Sequence, residues 1–110
     1  MNDKTKKIID SLSCVVKKVF PNKEGQVFLY GSQARGEANI DSDWDILIIT
    51  KQKTNTQALY DKFVFPFAEV GWYENVEIIP VSYSEEEWES KKHTLFYQNV
   101  MRDAIRLGNG

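Results

Sequence analysis

The chain has 110 residues, of which 42% are hydrophobic and 13% are aromatic, and its formal net charge is −2. This length and composition predict one packed domain over residues 1–110 and exclude an intrinsically disordered chain. The slight acidity argues against a general nucleic-acid binder, which carries a basic surplus on one face. One cysteine, Cys14, excludes an internal disulfide. Because no apolar run is long enough for a signal peptide or a membrane span, we expect a cytoplasmic protein.

The first half of the sequence predicts a helix, two strands and a turn between them. Apolar residues recur at helical spacing over residues 4–20, and a short apolar strand is predicted at residues 26–30. Residues 31–36 predict a turn that opens a short helix, and residues 37–42 predict a loop. Residues 43–50 predict the second strand, whose continuous run of isoleucine and leucine indicates burial on both faces.

The second half predicts helices around a third strand. Residues 54–73 have a helical pattern, which Pro66 is expected to kink or split. Residues 75–81 predict the third strand, a capping box at Ser84 predicts the next helix, and residues 95–106 predict the last helix. This order of elements predicts an α+β fold, a small mixed β-sheet flanked by helices.

Acidic residues lie where the second and third predicted strands begin. Asp43 and Asp45 are two residues apart, so both side chains are expected on the same face of a strand. Such a pair repels unless a cation lies between the carboxylates, and magnesium prefers oxygen ligands of this kind. Glu77 is the third candidate, because an acid among apolar neighbours is costly unless it serves a site. We therefore predict Asp43, Asp45 and Glu77 as catalytic and metal-binding residues for one or two magnesium ions, with Glu77 as ligand or general base.

A glycine and a serine follow the first predicted strand and favour phosphate binding. Gly31 allows close approach of the backbone, and the Ser32 hydroxyl and the following amides can donate hydrogen bonds to phosphate oxygens. Arg35 lies one helical turn later, where it reaches a phosphate or braces the loop through an acid such as Asp41, and the sequence leaves both roles open. We predict Gly31, Ser32 and Arg35 as nucleotide-binding residues.

The string Gly31-Ser32, ten residues and then Asp43-Trp44-Asp45 is similar to the signature of the DNA polymerase beta-like nucleotidyltransferases. The chain most resembles their minimal, single-domain bacterial branch. This resemblance implies the nucleotidyltransferase fold, with Ser32 on the triphosphate of a nucleotide and both aspartates on the metal ions. It also implies transfer of a nucleoside monophosphate, most often AMP from ATP, to an acceptor with release of pyrophosphate. One departure is Glu77, where the family more often has an aspartate.

The acceptor is the open question. Minimal members of this family often pair with a small helical partner, an RNA-cleaving toxin, and adenylylate it, so the resemblance implies a protein acceptor in a toxin–antitoxin-like pair. A different class of function is a non-catalytic subunit that binds and neutralises such a partner. A third keeps the chemistry but uses a small acceptor such as an aminoglycoside. A sheet this small is expected to leave an apolar flank for a homo- or hetero-oligomer.

Overall fold

A mixed four-stranded sheet organises the part of the chain that the computed structural model describes, residues 3–39 and 42–108. The strand order is β3-β2-β1-β4; β1 is antiparallel to β2 and β4, whereas β2 and β3 are parallel. The elements are α1 (Asp3–Val19), β1 (Gly25–Tyr30), α2 (Ser32–Arg35), β2 (Trp44–Thr50), α3 (Gln57–Phe63), α4 (Phe65–Glu74), β3 (Ile78–Ser84), α5 (Glu85–Glu89), α6 (Leu95–Asp103) and β4 (Ile105–Arg106). The predicted fold class, a small mixed sheet flanked by helices, is confirmed.

Helices cover both faces of the sheet, which is why the centre of β2 is apolar at every position. Ile46 and Ile48 belong to a core that also contains residues of α1 and α4, including Leu12 and Phe67. Leu47 and Ile49, which alternate with them along β2, face the opposite side of the sheet and pack with α5 and α6. All four residues from 46 to 49 are buried, as the continuous run predicted.

The predicted split at Pro66 is confirmed. Helix α3 ends at Phe63 and α4 begins at Phe65, with the proline in its first turn, where the missing N–H costs no hydrogen bond. The start of α3 lies later than predicted, because Thr56 is its N-cap and accepts a hydrogen bond from the Leu59 amide at 3.2 Å.

The predicted start of the third strand was wrong by three residues. Asn75 has a left-handed conformation, with φ of 57°, and caps α4. The Val76 amide then donates to the Gly71 carbonyl at 3.0 Å, so strand β3 begins only at Ile78 and continues to Ser84. Glu77 therefore lies just before the strand and not within it.

The end of the last predicted helix was also wrong. Helix α6 ends at Asp103, and Ala104 is extended, with ψ of 144°. Ile105 and Arg106 form the edge strand β4 against β1, and Leu107 is buried in the core. No helix among residues 3–39 and 42–108 combines the length and the apolar character that crossing a membrane requires.

Candidate active site

The candidate site lies where β1 ends and β2 begins. The antiparallel register pairs Tyr30, the last residue of β1, with Asp45, the second residue of β2. Gly31 follows directly and has a positive φ of 76°. A Cβ atom on Gly31 would overlap Oδ2 of Asp45 and lie 3.4 Å from its Cγ. Glycine is therefore required here both by the backbone conformation and by the nearby carboxylate.

The two aspartates lie close enough to repel each other. Asp43 is exposed just before β2, and Asp45 is half-buried. Burial raises the pKa of the Asp45 carboxyl, the charge of Asp43 raises that pKa further, and the charge of Arg35 lowers it. A cation placed between the carboxylates would relieve this repulsion.

Trp44 fixes the backbone between the two aspartates. Its side chain is 3% exposed and packs in the core that contains α1 and α4. Because side chains alternate along a strand, this burial leaves Asp45 on the opposite face, with Tyr30. The Trp44 side chain therefore anchors the start of β2 from the other side of the sheet.

Glu77 occupies the matching position beside the neighbouring strand. The parallel register pairs Trp44 with Ile78, so Glu77 precedes β3 at the level where Asp43 precedes β2. The Trp44 amide donates to the Glu77 carbonyl at 2.9 Å, which joins the two strand starts. The Glu77 side chain is exposed, like that of Asp43.

The donor chemistry fits magnesium, the metal that the sequence predicted. Within residues 3–39 and 42–108, no three His, Cys, Asp or Glu side chains form a group that could hold a metal ion by themselves. Magnesium commonly binds through one or two carboxylates and completes its octahedral shell with water and substrate phosphates. The pair Asp43 and Asp45 supplies carboxylates of that kind, and Glu77 lies on the adjacent strand start.

The turn after β1 is a single short helix, α2, tied to the residues before the aspartates. Ser32 is its half-buried first residue, and Gly36 closes it with a positive φ of 72°. The Gln33 side-chain amide donates to the Ser42 carbonyl at 3.3 Å, which connects α2 to the segment before Asp43. This contact and the β1–β2 pairing hold the glycine–serine turn close to the aspartates.

Arg35 forms an ion pair with Glu37 through its Nε atom. The sequence suggested Asp41 as the bracing acid, but Asp41 lies outside the described residues. The charge of Arg35 also lowers the pKa of Asp45. Both predicted roles, phosphate contact and loop brace, are compatible with this position.

Sequence reasoning missed Tyr30 as a part of this site. Burial raises the pKa of its hydroxyl to about 12, with further contributions from Asp45 and Tyr83. Its ring makes an edge-on contact with Phe96 of α6, with ring centroids 5.6 Å apart. The hydroxyl therefore stays protonated at neutral pH as a hydrogen-bond donor near Asp45. Only the β1–β2 register reveals this pairing, because a long connection separates the two strands.

Comparisons with known proteins identify the family and the fold of the chain. A family model described as "Nucleotidyltransferase domain" matches residues 9–103. No curated protein sequence gives a significant match. A crystal structure of a toxin–antitoxin with AMP-PNP is 17% identical, covering 88% of this chain and 73% of that chain with a TM-score of 0.57. A Sulfolobus solfataricus protein provisionally assigned as a nucleotidyltransferase is 22% identical, covering 94% and 82% of the two chains with a TM-score of 0.53. These two likenesses show a shared fold.

Proposed function

The chain belongs to the nucleotidyltransferase domain family, and we propose that it transfers AMP from ATP to a hydroxyl group of a partner protein, with magnesium as cofactor. One observation carries this proposal: Gly31 brings a backbone turn without a side chain against the carboxylate of Asp45. A triphosphate on the turn and a cation on the acids would then be neighbours, which is the arrangement that phosphoryl-transfer chemistry needs.

In the proposed reaction, the acceptor oxygen attacks the α-phosphorus of ATP. A bond forms between that oxygen and phosphorus, the bond from the α-phosphorus to the bridging oxygen breaks, and pyrophosphate leaves with the electron pair. The hydroxyl proton passes to a base. The Gly31–Ser32 turn and Arg35 bind the triphosphate, so this chain mainly orients the phosphates for an in-line attack.

Asp43 and Asp45 would hold the metal ion, because their carboxylates are hard oxygen donors that already lie within each other's electrostatic field. When bound, magnesium supplies neutralisation of the charge that develops on the phosphate oxygens. Glu77 is placed at the level of Asp43 on the next strand start, where it serves either as a further ligand or as the base for the acceptor hydroxyl.

The choice of ATP and of a protein acceptor is supported by a structural neighbour. The toxin–antitoxin with AMP-PNP contains an ATP analogue and a protein pair, and its fold resembles this chain over 88% of the present sequence. Two aromatic side chains on α4 also favour a protein partner, since Trp72 is 71% exposed and Tyr73 is 78% exposed.

The proposal is tested by purifying the protein together with its bound partners and measuring the transfer of label from ATP. The preparation is given magnesium and ATP labelled at the α-phosphate, in parallel with ATP labelled at the γ-phosphate. We expect the α-label alone to appear on a co-purifying protein. Asp43→Asn should abolish the labelling, whereas the matched control Asp61→Asn, an exposed acid on α3, should leave it unchanged.

Transfer of the γ-label, or full transfer by the Asp43→Asn variant, would contradict the proposal. If no protein is labelled, a panel of hydroxylated small molecules, including aminoglycosides, tests the second kind of acceptor. Label on such a molecule would support the proposed transfer reaction and contradict the proposal that the acceptor is a protein.

A second function, binding and neutralising a partner without catalysis, is favoured by the exposed aromatic residues of α4. It predicts that a variant carrying both Asp43→Asn and Asp45→Asn still binds and inhibits the partner. Loss of inhibition with binding intact would exclude this function, because occlusion does not depend on the two carboxylates. Replacing Trp72 by alanine should weaken partner binding in either case.

A further inference from the structure

An open groove lies between the exposed sides of helices α1 and α4. Its volume is about 560 Å³, within the range that proteins use to bind ligands. The two helices are antiparallel. Ser11 in the middle of α1 donates a hydrogen bond to the carboxylate of Glu74 at the end of α4, at 2.7 Å. Phe20, the first residue after α1, stacks on Phe67 near the start of α4, with ring centroids 6.4 Å apart.

The floor of the groove is apolar, and an aromatic side chain lies exposed at its edge. Val15 and Val19 of α1 are partly buried against the core, and Val70 of α4 is buried. Tyr73 also lines the groove and is largely exposed. Exposed aromatic residues beside an apolar surface are typical of protein–protein interfaces, where they fill pockets of the partner. The groove therefore offers both a pocket and a side chain that can fill one.

The two walls of the groove carry opposite charges. Lys18 is exposed on the α1 wall, and Glu69 is half-buried on the α4 wall. Neither side chain forms an ion pair within the part of the chain that the structure describes. Glu74, the other acid of the α4 wall, is already bound by Ser11 and by Lys7, whose Nζ lies 3.6 Å from its carboxylate. Lys18 and Glu69 are therefore the charges that a second molecule would meet.

We propose that this groove is the interface of a homodimer, in which each α1 lies across the α4 of a second copy of this chain. A two-fold axis makes the same surface serve both copies. When the axis runs parallel to the helices, it exchanges the α1 wall and the α4 wall and keeps each residue at its level along the groove. The antiparallel contacts above place Lys18 and Glu69 at nearly the same level. Lys18 of one copy then faces Glu69 of the other, twice over.

Charge selects this orientation over its alternative. A two-fold axis perpendicular to the helices would lay α1 on α1, with Lys7 and Lys18 of one copy against the lysines of the other, and like charges across an interface repel. In the proposed orientation, Tyr73 of each copy packs on the α1 wall of the other. A second copy thus supplies an acid for Lys18, a lysine for Glu69 and an aromatic side chain for the apolar floor.

Dimerisation through this groove leaves the proposed active site accessible. Helices α1 and α4 pack on the face of the sheet that holds Trp44, whereas Asp45 lies on the opposite face. Trp72 packs edge-on against Phe65 and does not line the groove, so it remains available to the partner protein of the proposed function. The homodimer therefore does not depend on the transfer reaction.

Sedimentation equilibrium of the purified full chain, over a range of protein concentrations, measures dimerisation. We expect the wild type to form dimers. Lys18→Glu and Glu69→Lys should each raise the dissociation constant at least about tenfold, because each change replaces both attractive contacts by repulsive ones. The matched control is Lys17→Glu, the same change of charge at an exposed neighbouring position that does not line the groove. This control should dimerise like the wild type.

Mixing the two charge variants tests the orientation. Lys18→Glu leaves two acids in the groove, whereas Glu69→Lys leaves two lysines. An equal mixture should therefore form heterodimers about as stable as the wild-type dimer, and the variant that carries both changes should dimerise again. Mixing would not repair a folding defect, and thermal unfolding of each variant verifies that the fold is intact.

Cys14 reports which surface the second copy covers. It is exposed and lines the groove on the α1 wall. Its reaction with a thiol reagent should slow as the wild-type concentration rises through the dissociation constant. In Lys18→Glu the rate should stay that of the monomer over the same concentrations.

A wild type that stays monomeric, or a dimer that neither charge reversal weakens, would overturn the proposal. A dimer in which Cys14 reacts at the monomer rate would place the interface elsewhere and overturn it as well. If the wild type is monomeric and Lys18→Glu prevents a partner protein from co-purifying, the groove binds that partner and not a second copy. None of these results changes the standing of the proposed reaction, which label transfer tests separately.

Discussion

Gly31 and Asp45 are in direct contact across the ends of two antiparallel strands, and no side chain other than hydrogen fits between them. A Cβ on Gly31 would overlap the Oδ2 atom of Asp45. The turn proposed to bind phosphate is thus in contact with a carboxylate proposed to bind the metal ion. The β1–β2 pairing sets the backbone positions of the two halves of the site, and the Asp45 side chain completes the contact.

Gly31→Ala should abolish nucleotide transfer. The new methyl group would displace the Asp45 carboxylate, and alanine at a φ of 76° is strained by about 1 kcal/mol. We expect a loss of at least about 100-fold in kcat/KM, as follows when a catalytic group is misplaced by about 1 Å. Steady-state transfer assays and urea unfolding measure the two effects separately.

Gly36→Ala is the matched control for this change. Gly36 has nearly the same backbone conformation, with φ of 72°, but nothing lies within 4 Å of a Cβ placed there. The variant should therefore lose a similar amount of stability and retain transfer. Equal loss of transfer in both variants would show that strain in the turn, and not the contact with Asp45, is responsible.

Asp45→Asn should stabilise the metal-free protein at neutral pH. Burial, followed by the charge of Asp43, raises the pKa of Asp45 above its ordinary value of 3.8, so the folded protein binds this proton more tightly than the unfolded chain does. The stability of the wild type should therefore fall as the pH rises from about that value through the raised pKa, and the variant should lack this decline. Urea unfolding in the presence of a chelator, from weakly acidic to neutral pH, measures the difference.

Asp43→Asn provides the control for that pH dependence, because it removes the like charge but keeps the Asp45 carboxyl. At neutral pH this variant should be more stable than the wild type, but by less than Asp45→Asn is. Magnesium added to the wild type should have the same stabilising effect, and neither variant should respond as strongly. A stability difference between the wild type and Asp45→Asn that does not change with pH would contradict the assigned cause.

Glu77→Gln should lower the rate of transfer by about 100-fold if Glu77 is the base, since general-base catalysis contributes about that much. Binding of AMP-PNP with magnesium should then be nearly unchanged. If Glu77 is a metal ligand, the same replacement should also weaken that binding. Glu77→Asp should retain measurable transfer. Glu86→Gln, at an exposed position of α5, is the control. Wild-type rates in Glu77→Gln would exclude both roles.

Trp88→Ala should destabilise the protein by about 3–5 kcal/mol, the usual cost of removing a buried aromatic side chain. Trp88 is 6% exposed and packs on Tyr97 and Phe96 with ring centroids 4.7 and 5.8 Å away. Trp72→Ala should change stability by less than about 0.5 kcal/mol, because Trp72 is 71% exposed. Far-ultraviolet circular dichroism during urea unfolding compares the two, and equal effects would contradict the burial pattern.

Local signals in the sequence were enough to predict most of the elements. The capping box at Ser84 forms as expected, with its hydroxyl accepting from the Glu87 amide at 3.1 Å and the Glu87 carboxylate accepting from the Ser84 amide at 2.8 Å. Pro66 separates two helices because of its own covalent geometry. These features depend on residues within one or two turns of one another, which is why the sequence reveals them.

The end of the last helix was predicted wrongly because distant contacts decide the conformation there. Ile105 and Arg106 continue a helical pattern in the sequence, but they form a strand because the edge of β1 offers hydrogen-bond partners. The same holds for the site. The motif identified Gly31, Asp43 and Asp45, whereas the position of Tyr30 opposite Asp45 depends on strand register, which no short-range pattern encodes.

The most direct test of the central claim is the intact mass of every protein in the purified preparation after incubation with ATP and magnesium. The account predicts that one protein gains the mass of a single AMP group, and that the gain disappears when Asp45→Asn replaces the wild type. A gain equal to a phosphate group, or an AMP gain that persists in the variant, would contradict it.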